Sequence, residues 1–381
     1  METKLPKKHI LDFDMYISFI LSSLYLSGGV RVVIQYANRL TKRGHHVSLI
    51  IPNGTVDPQI EQEIDPYINI IKTKSSLDNK TNLFKLFRLS WEMALAVPHS
   101  DVIIATHTPT TVVSFIADKL LNRGKIIWYY MDYKEMFDGR PIERWLLRNA
   151  LKWHDYAITF SEACVQELHS FCSGKIINIG LGLDTINLYH PNQDAKKIVY
   201  ASPEKKVIFF LGDSRPRKGM ADFLIAAERV FASETNLVLW IATKEKTTIQ
   251  TSVPYRVFIR PTDYDLVSLY SASDIFVSAS WYEGFGLPPL EAMACGGAVV
   301  TTNSRGVMEF AEDGNNCLVV PPRNPEALAE AILRLLSKPD LADKFRKNGP
   351  VTASRFDWES AIDRFEAALE LSDVQYQASN N

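Results

Sequence analysis

Short apolar runs, many of them β-branched, recur along the chain, with stretches of helical period between them. In the first half the runs are Ile17–Leu21, Val47–Ile51, Ile68–Ile71, Val102–Ala105, Ile126–Tyr130, Tyr156–Phe160 and Ile176–Ile179. Most are continuous rather than alternating. That marks strands covered on both faces, and so a parallel sheet with helices on each side. The second half repeats the pattern with Val207–Leu211, Leu237–Ala242, Val257–Ile259, Ile275–Ser278, Ala298–Thr301 and Leu318–Val320. Helical segments are predicted at Met220–Phe231, Asp265–Ser271, Pro289–Ala294 and Pro325–Leu336. The pattern predicts an α/β protein of two Rossmann-like, doubly wound domains. A stretch with few apolar residues, from Tyr189 to Pro203, sets the break. The expected domains are 1–190, with 1–14 as an extension, and 191–357; a helix over 358–371 is expected to pack back toward the N-terminal domain, with 372–381 as a frayed tail.

A length of 381 residues is enough for two cores. The net charge of −2 argues against bulk-charge binding to nucleic acid, and no nucleic-acid partner is expected. The four cysteines, Cys164, Cys172, Cys295 and Cys317, show no metal-ligand spacing, which argues against a zinc module or a disulfide scaffold. The most apolar early stretch, Met15–Leu26, begins next to Asp12 and Asp14 and lacks a small-residue cleavage site. It reads as a first buried strand and its loop rather than a signal peptide. A cytoplasmic location is expected.

Three loops that follow strands carry glycines and precede helices, which aims backbone N–H groups at an anion. Ser27-Gly28-Gly29-Val30 is the first; an ordinary turn is an equally good reading of it. Gly212–Gly219, with Arg215, Arg217 and Lys218, is the second. Adjacent Arg217 and Lys218 at a helix start suit a diphosphate leaving group, against the alternative of a solvated basic loop. The third is Glu283-Gly284-Phe285-Gly286-Leu287-Pro288-Pro289-Leu290-Glu291, with Glu291 expected in the first turn of the next helix. Its two carboxylates can each accept a pair of sugar hydroxyls. A nicotinamide site fits poorly, because neither Gly284-Phe285-Gly286 nor Gly180-Leu181-Gly182 completes GxGxxG after a strand.

Glu283 and Glu291 enclosing GFGLPPL resemble the E-x7-E motif of the retaining GT-B glycosyltransferases of family 4 (GT4). Four other segments, in the same order and spacing, resemble that family: Gly28-Gly29-Val30 with the later RGHHV, Gly182-Leu183-Asp184 through His190-Pro191, Arg217-Lys218-Gly219, and Ser304–Glu309 with Asp313–Pro322. The resemblance implies the GT-B fold, two Rossmann-like domains facing across a cleft, and retaining transfer from a nucleoside-diphosphate sugar. No cofactor and no metal are expected. It implies catalytic roles for Glu283, Arg217 and Lys218, with Arg217 and Lys218 on the diphosphate and Glu283 on donor-sugar hydroxyls. Donor contacts are implied for Gly28, Gly29, Asp132, Gly284, Phe285, Gly286, Leu287 and Glu291, the last on the ribose, and for Arg260 near the base. The acceptor is expected to be a sugar, polysaccharide or lipid-linked molecule, in glycan, glycolipid or cell-envelope polysaccharide synthesis.

The sequence departs from the family at Asp213, where many members have arginine, and at Met131, where a histidine often precedes the aspartate. Arg215 is a candidate to replace the missing arginine, and His107, after a strand, is a candidate site histidine. The departures keep other readings open: a nucleotide-sugar-binding subunit with lost catalysis, or a GT-B epimerase or phosphorylase. Asp12-Phe13-Asp14 and Asp263-Tyr264-Asp265 match the short DxD pattern and read as chance, and His45 and His46 read as structural. The segment Leu83–Trp91 is apolar, aromatic and basic; as an amphipathic helix it would either rest on the inner face of a membrane or pack on the core.

Overall fold

The computed structural model describes residues 14–76, 83–192, 194–195, 205–246 and 248–379, with backbone alone at 83 and 371–379. Two compact units emerge, residues 1–181 with 359–381, and residues 182–358. The division falls at Leu181/Gly182, ahead of the 190/191 break read from composition. Its cause is local. The Leu183 N–H donates to the Phe356 carbonyl at 2.7 Å, and a Cβ on Gly182 would come within 2.6 Å of the Trp358 backbone. The chain from Gly182 is therefore tied to the end of the second unit.

The first unit is a seven-stranded sheet in the order β3-β2-β1-β4-β5-β6-β7, parallel throughout. Its strands are β1 (Tyr16–Ile20), β2 (His46–Asn53), β3 (Asn69–Ser76), β4 (Val102–Ala105), β5 (Lys125–Tyr129), β6 (Tyr156–Thr159) and β7 (Ile176–Asn178). β4 and β6 are buried along their whole length, which is why they read as unbroken apolar runs. On one face Ile20, Ile50, Ile103 and Ile126 pack against Leu89, Met93 and Ala94 of the helix Leu83–Ala96. Toward the other face Phe365, on the helix Trp358–Ser379, meets Tyr36, Phe19 and Tyr129.

That last helix, longer than the predicted 358–371, is clasped by charge. Arg43 contacts Glu359, Asp363 and Glu366, each at 2.7 Å, and His45 Nε2 lies 3.2 Å from Glu366. His45 Nδ1 accepts the Met15 N–H at 3.2 Å, and His46 stacks on Tyr16, so both histidines serve the fold.

The second unit is a six-stranded parallel sheet in the order β10-β9-β8-β11-β12-β13. It comprises β8 (Lys206–Leu211), β9 (Leu237–Thr243), β10 (Tyr255–Ile259), β11 (Ile275–Ser278), β12 (Val299–Thr302) and β13 (Leu318–Val320). Ile208, Phe210, Leu239, Ile241, Val277 and Val300 form the sheet side of one core, closed by the helices Met220–Ser233 and Pro325–Ser337. The helix Pro339–Ala353 is one the sequence reading did not include. Pro350 lies in the last turn, and a Cβ on Gly349 would approach the Met293 carbonyl to 2.9 Å.

Candidate functional site

In each sheet the strand order reverses once, between β1 and β4 and between β8 and β11. Loops leaving the carboxyl ends of those strands run in opposite directions and open a crevice there. Most of the candidate residues gather at these two places, each within its own unit.

In the second unit, β8 leads to a short 3-10 turn, Pro216–Lys218, and Gly219 caps the following helix. Arg217 and Lys218 therefore stand on a short turn just ahead of the helix, in the loop expected to precede it. The loop after β11 is fastened to them, since the Trp281 N–H donates to the Arg217 carbonyl at 2.7 Å. Glu283 then falls between the two cations. Arg217 Nη1 lies 3.1 Å from Oε2 and Lys218 Nζ 2.6 Å from Oε1, while the Ser280 hydroxyl donates to Oε1 at 2.8 Å. Burial opposes ionisation of this carboxyl. The charges of Lys218 and Arg217, with the hydrogen bonds from Lys218 and Ser280, outweigh it and bring the pKa down to about 2. Glu283 is thus a carboxylate at neutral pH and can only accept hydrogen bonds.

A second strand-end loop holds the Glu283 backbone. Its N–H donates to the Ser304 carbonyl at 2.8 Å, and its carbonyl accepts from the Gly306 N–H at 3.1 Å. No side chain fits at Gly306, where a Cβ would stand 2.0 Å from the Gly284 carbonyl oxygen. Gly286, at φ 93, makes the left-handed turn that starts the helix Leu287–Ala294. Phe285 turns its ring inward and packs on Phe310 and Phe356. Because the helix begins at Leu287, Glu291 lies in its second turn, not its first. There it accepts a hydrogen bond from the Tyr270 hydroxyl at 2.8 Å. Burial and the Glu291 charge hold the Tyr270 pKa well above its ordinary value, so the phenol remains a donor.

Arg215 is turned back on Asp213, Nε to Oδ1 at 2.8 Å and Nη2 to Oδ2 at 2.5 Å. Burial opposes ionisation of Asp213, but these bonds keep its pKa below the usual carboxylate range. Arg260 is exposed at the carboxyl end of β10, two strands from β8. Asp265 and Thr262 form a reciprocal helix cap, with the Thr262 N–H on Asp265 Oδ2 at 2.9 Å, which accounts for that DxD match. Asp12 and Phe13 of the other match lie outside the described residues.

In the first unit, Gly28 and Gly29 open the helix Gly28–Lys42, whose Ser27 cap accepts the Val30 N–H. A Cβ on Gly29 would touch His107 at 3.8 Å, and one on Gly28 would touch nothing. Asp132 is buried, accepts the Thr108 N–H at 2.6 Å and lies 3.8 Å from His107 Nδ1. His107 Nδ1 faces the Thr106 carbonyl, which can only accept, so Nδ1 carries the hydrogen. In the neutral ring Nε2 is then an acceptor. Sequence reasoning found Gly29, His107 and Asp132 but missed that His107 lies beside both of the others. It also missed Ser280, Tyr270 and Asp222, the last of which accepts from the Trp281 indole at 2.7 Å. Each of these works through a partner at least three residues away, and no local motif flags it.

Comparison with known proteins agrees with this geometry. The family model for glycosyltransferase family 4 matches residues 26–186, and the model for glycosyl transferases group 1 matches residues 192–352. The chain is 32% identical over 177 residues to the O-antigen chain mannosyltransferase B of Escherichia coli, covering 42% of this chain and 45% of that one. It is 26% identical over 369 residues to an uncharacterized glycosyltransferase of Haemophilus influenzae, covering 93% and 99%. A D-inositol 3-phosphate glycosyltransferase of Corynebacterium urealyticum is 26% identical, over 67% of this chain and 62% of that one. The chain thus spans under two thirds of the length of two of these three relatives.

Two solved structures share the fold. Sucrose-phosphate synthase of Thermosynechococcus elongatus has a TM-score of 0.81 at 20% identity, over 95% of this chain and 99% of that one. HepE of Anabaena, solved with UDP and glucose, has a TM-score of 0.78 at 19% identity, over 93% and 99%. The two family models together span most of the chain, and with the GT-B fold they share one conclusion: the chain belongs to the group 1 glycosyl transferases, glycosyltransferase family 4.

Proposed function

We propose that this protein transfers a sugar from a nucleoside-diphosphate sugar to a hydroxyl acceptor, with retention at the anomeric carbon, in the synthesis of a glycan, glycolipid or cell-envelope polysaccharide. The observation that carries the reading is Glu283 held between Arg217 and Lys218 where the sheet order reverses, beside a glycine loop that opens a helix. Arg217 and Lys218 take the diphosphate and offset the charge that grows on it as the glycosidic bond breaks. The N–H groups of the Gly284–Leu287 turn add to that field. Glu283 accepts hydrogen bonds from donor-sugar hydroxyls, and Glu291 from the ribose. Arg260 serves the base. These protein groups supply the stabilisation that a metal ion would otherwise give, so the reaction runs without one. In the first unit, Gly28 and Gly29 leave room for substrate, while Asp132 and His107 Nε2 accept from its hydroxyls.

The test is a screen of UDP, GDP, ADP and dTDP sugars with an acceptor panel, read by NMR of the product's anomeric proton. A transferred sugar with the donor's anomeric configuration is expected. Inversion, or donor binding with neither transfer nor slow hydrolysis, would overturn the reading and favour another catalytic class or a binding subunit.

We also infer peripheral contact with an anionic lipid surface. The helix Leu83–Ala96 is apolar on two faces. Leu89, Met93 and Ala94 are buried, while Phe84, Phe87, Trp91 and Leu95 form an exposed stripe flanked by Lys85 and Arg88. Among the described residues no helix is long and apolar enough to cross a membrane. A lipid-linked acceptor suits such a surface. Sedimentation with phosphatidylglycerol vesicles, abolished in Phe87→Ser/Trp91→Ser and absent with phosphatidylcholine alone, is expected; equal sedimentation of variant and wild type would contradict it.

A further inference from the structure

The residue pinned opposite Glu283 is Arg305, and its backbone is strained. It stands at φ 67, ψ −91, outside the regions open to a residue with a side chain and outside the ordinary left-handed basin. The loop cannot relax. Glu283 and Arg305 are partners in an isolated parallel bridge, and Gly306 lies under the Gly284 carbonyl with no room for even a methyl group. A glycine would adopt this conformation without strain. An arginine persists only where the surroundings over-determine it, and such outliers cluster at sites of function. The guanidinium carbon of Arg305 lies 5.6 Å from the centre of the Tyr282 ring, next to Glu283 in sequence, so the charge is held over the candidate site's own loop.

Charge bookkeeping points the same way. Arg217 and Lys218 bring two positive charges, and Glu283 cancels one of them. A diphosphate linkage carries a negative charge on each phosphate. The triad alone leaves the ligand under-neutralised, and Arg215 is committed to Asp213.

We propose that Arg305 is a third cation of the diphosphate site, carried on a strained loop so that its guanidinium lies beside the Glu283 turn. The inference rests on the donor-site reading above and adds a residue to it. A charge-assisted hydrogen bond from Arg305 to a phosphate is stronger than its cation–π contact with the Tyr282 ring.

Calorimetric titration with UDP, GDP, ADP and dTDP identifies the base bound by the wild-type chain. The same titration is then run on Arg305→Gly, Arg305→Ala and Arg305→Lys, with melting temperatures alongside. Arg305→Gly is expected to melt no lower than wild type, since strain is relieved, yet to bind the diphosphate about ten- to a hundredfold more weakly. Arg305→Ala should lose the same affinity and melt below Arg305→Gly, and Arg305→Lys should recover most of the affinity. Wild-type affinity in Arg305→Gly would overturn the proposal and leave the donor site standing. Lost affinity with a lowered melting temperature in Arg305→Gly would make Arg305 a structural residue and overturn it too. Failure of the wild type to bind any of the four would overturn the donor-site reading and this inference together.

Discussion

Glu283 in the second unit and Glu366 in the first are each held by two basic side chains. Glu366 takes Arg43 at 2.7 Å and His45 at 3.2 Å; Glu283 takes Lys218 at 2.6 Å and Arg217 at 3.1 Å. In both, burial opposes ionisation, and the hydrogen bonds and charges of the partners win, so both pKa values are lowered. The difference is placement. Glu366 is closed in, 1% exposed, on a long helix packed on a sheet face, and its partners clasp the C-terminal helix to its sheet. Glu283 stands on a glycine loop at the point where strand order reverses, and its own side chain keeps 14% of its surface open. A buried carboxylate among basic groups is therefore no functional signature in itself. Loop, glycine and switch point make it one.

Substitutions should separate the two. The largest effect is expected for Glu283→Gln, which keeps the shape and removes the charge: kcat/KM should fall about a hundredfold, a transition-state loss of roughly 3 kcal/mol. Melting should remain cooperative. Unchanged turnover with a proven donor would place Glu283 beside Glu366 as a structural acid. Glu366→Gln should do the reverse. Stability should drop by about 1–3 kcal/mol in a denaturant titration, because Arg43 and His45 lose a buried charged acceptor while Glu359 and Asp363 remain on Arg43, and kcat of the folded fraction should hold. Equal loss of kcat in both variants would erase the distinction.

Acid titration sharpens the comparison. Glu283 has a pKa of about 2 in the folded chain against 4.5 for the free group. Its stabilisation is therefore complete above the free value and is lost as pH falls from about 4.5 toward 2. Glu366 is lowered as well and acts in the same sense. Melting temperature measured downward from pH 5 should fall in the wild type and fall less steeply in Glu283→Gln. Parallel curves would mean that the pairing is not maintained in solution. The smallest effect is expected for Arg215→Ala. Its pair with Asp213 is half exposed on the arginine side, so stability should change by less than about 1 kcal/mol and donor affinity by no more than a few fold.

Much of this was legible in the sequence. Thirteen strands were read from apolar runs, and β4, β11 and β13 match their runs end to end. These strands are almost wholly buried, and all their positions but Ser278 are apolar. β3 was read four residues long and extends through Lys72–Ser76, because a strand at the sheet edge can carry lysines that face water. The charged members of the site were legible as well. The Arg217-Lys218 pair and Glu283 adjoin glycines in loops that follow strands, and Glu291 lies eight residues beyond Glu283. What could not be read was who pairs with whom. Neither Arg215 folding back on Asp213 nor Tyr270 reaching Glu291 leaves a periodic trace. Arg305 looked like any loop arginine until its backbone angles were known.

The Glu283 cluster, unlike the Glu366 clasp, is proposed to hold a nucleoside diphosphate. Thermal shift of the wild type and Lys218→Ala against UDP, GDP, ADP and dTDP tests it most directly. One diphosphate, at about 100 times its Kd, should stabilise the wild type by roughly 2.7 kcal/mol, and Lys218→Ala should lose most of that shift at the same concentration. Equal shifts in the two proteins, or no shift with any of the four, would contradict the claim.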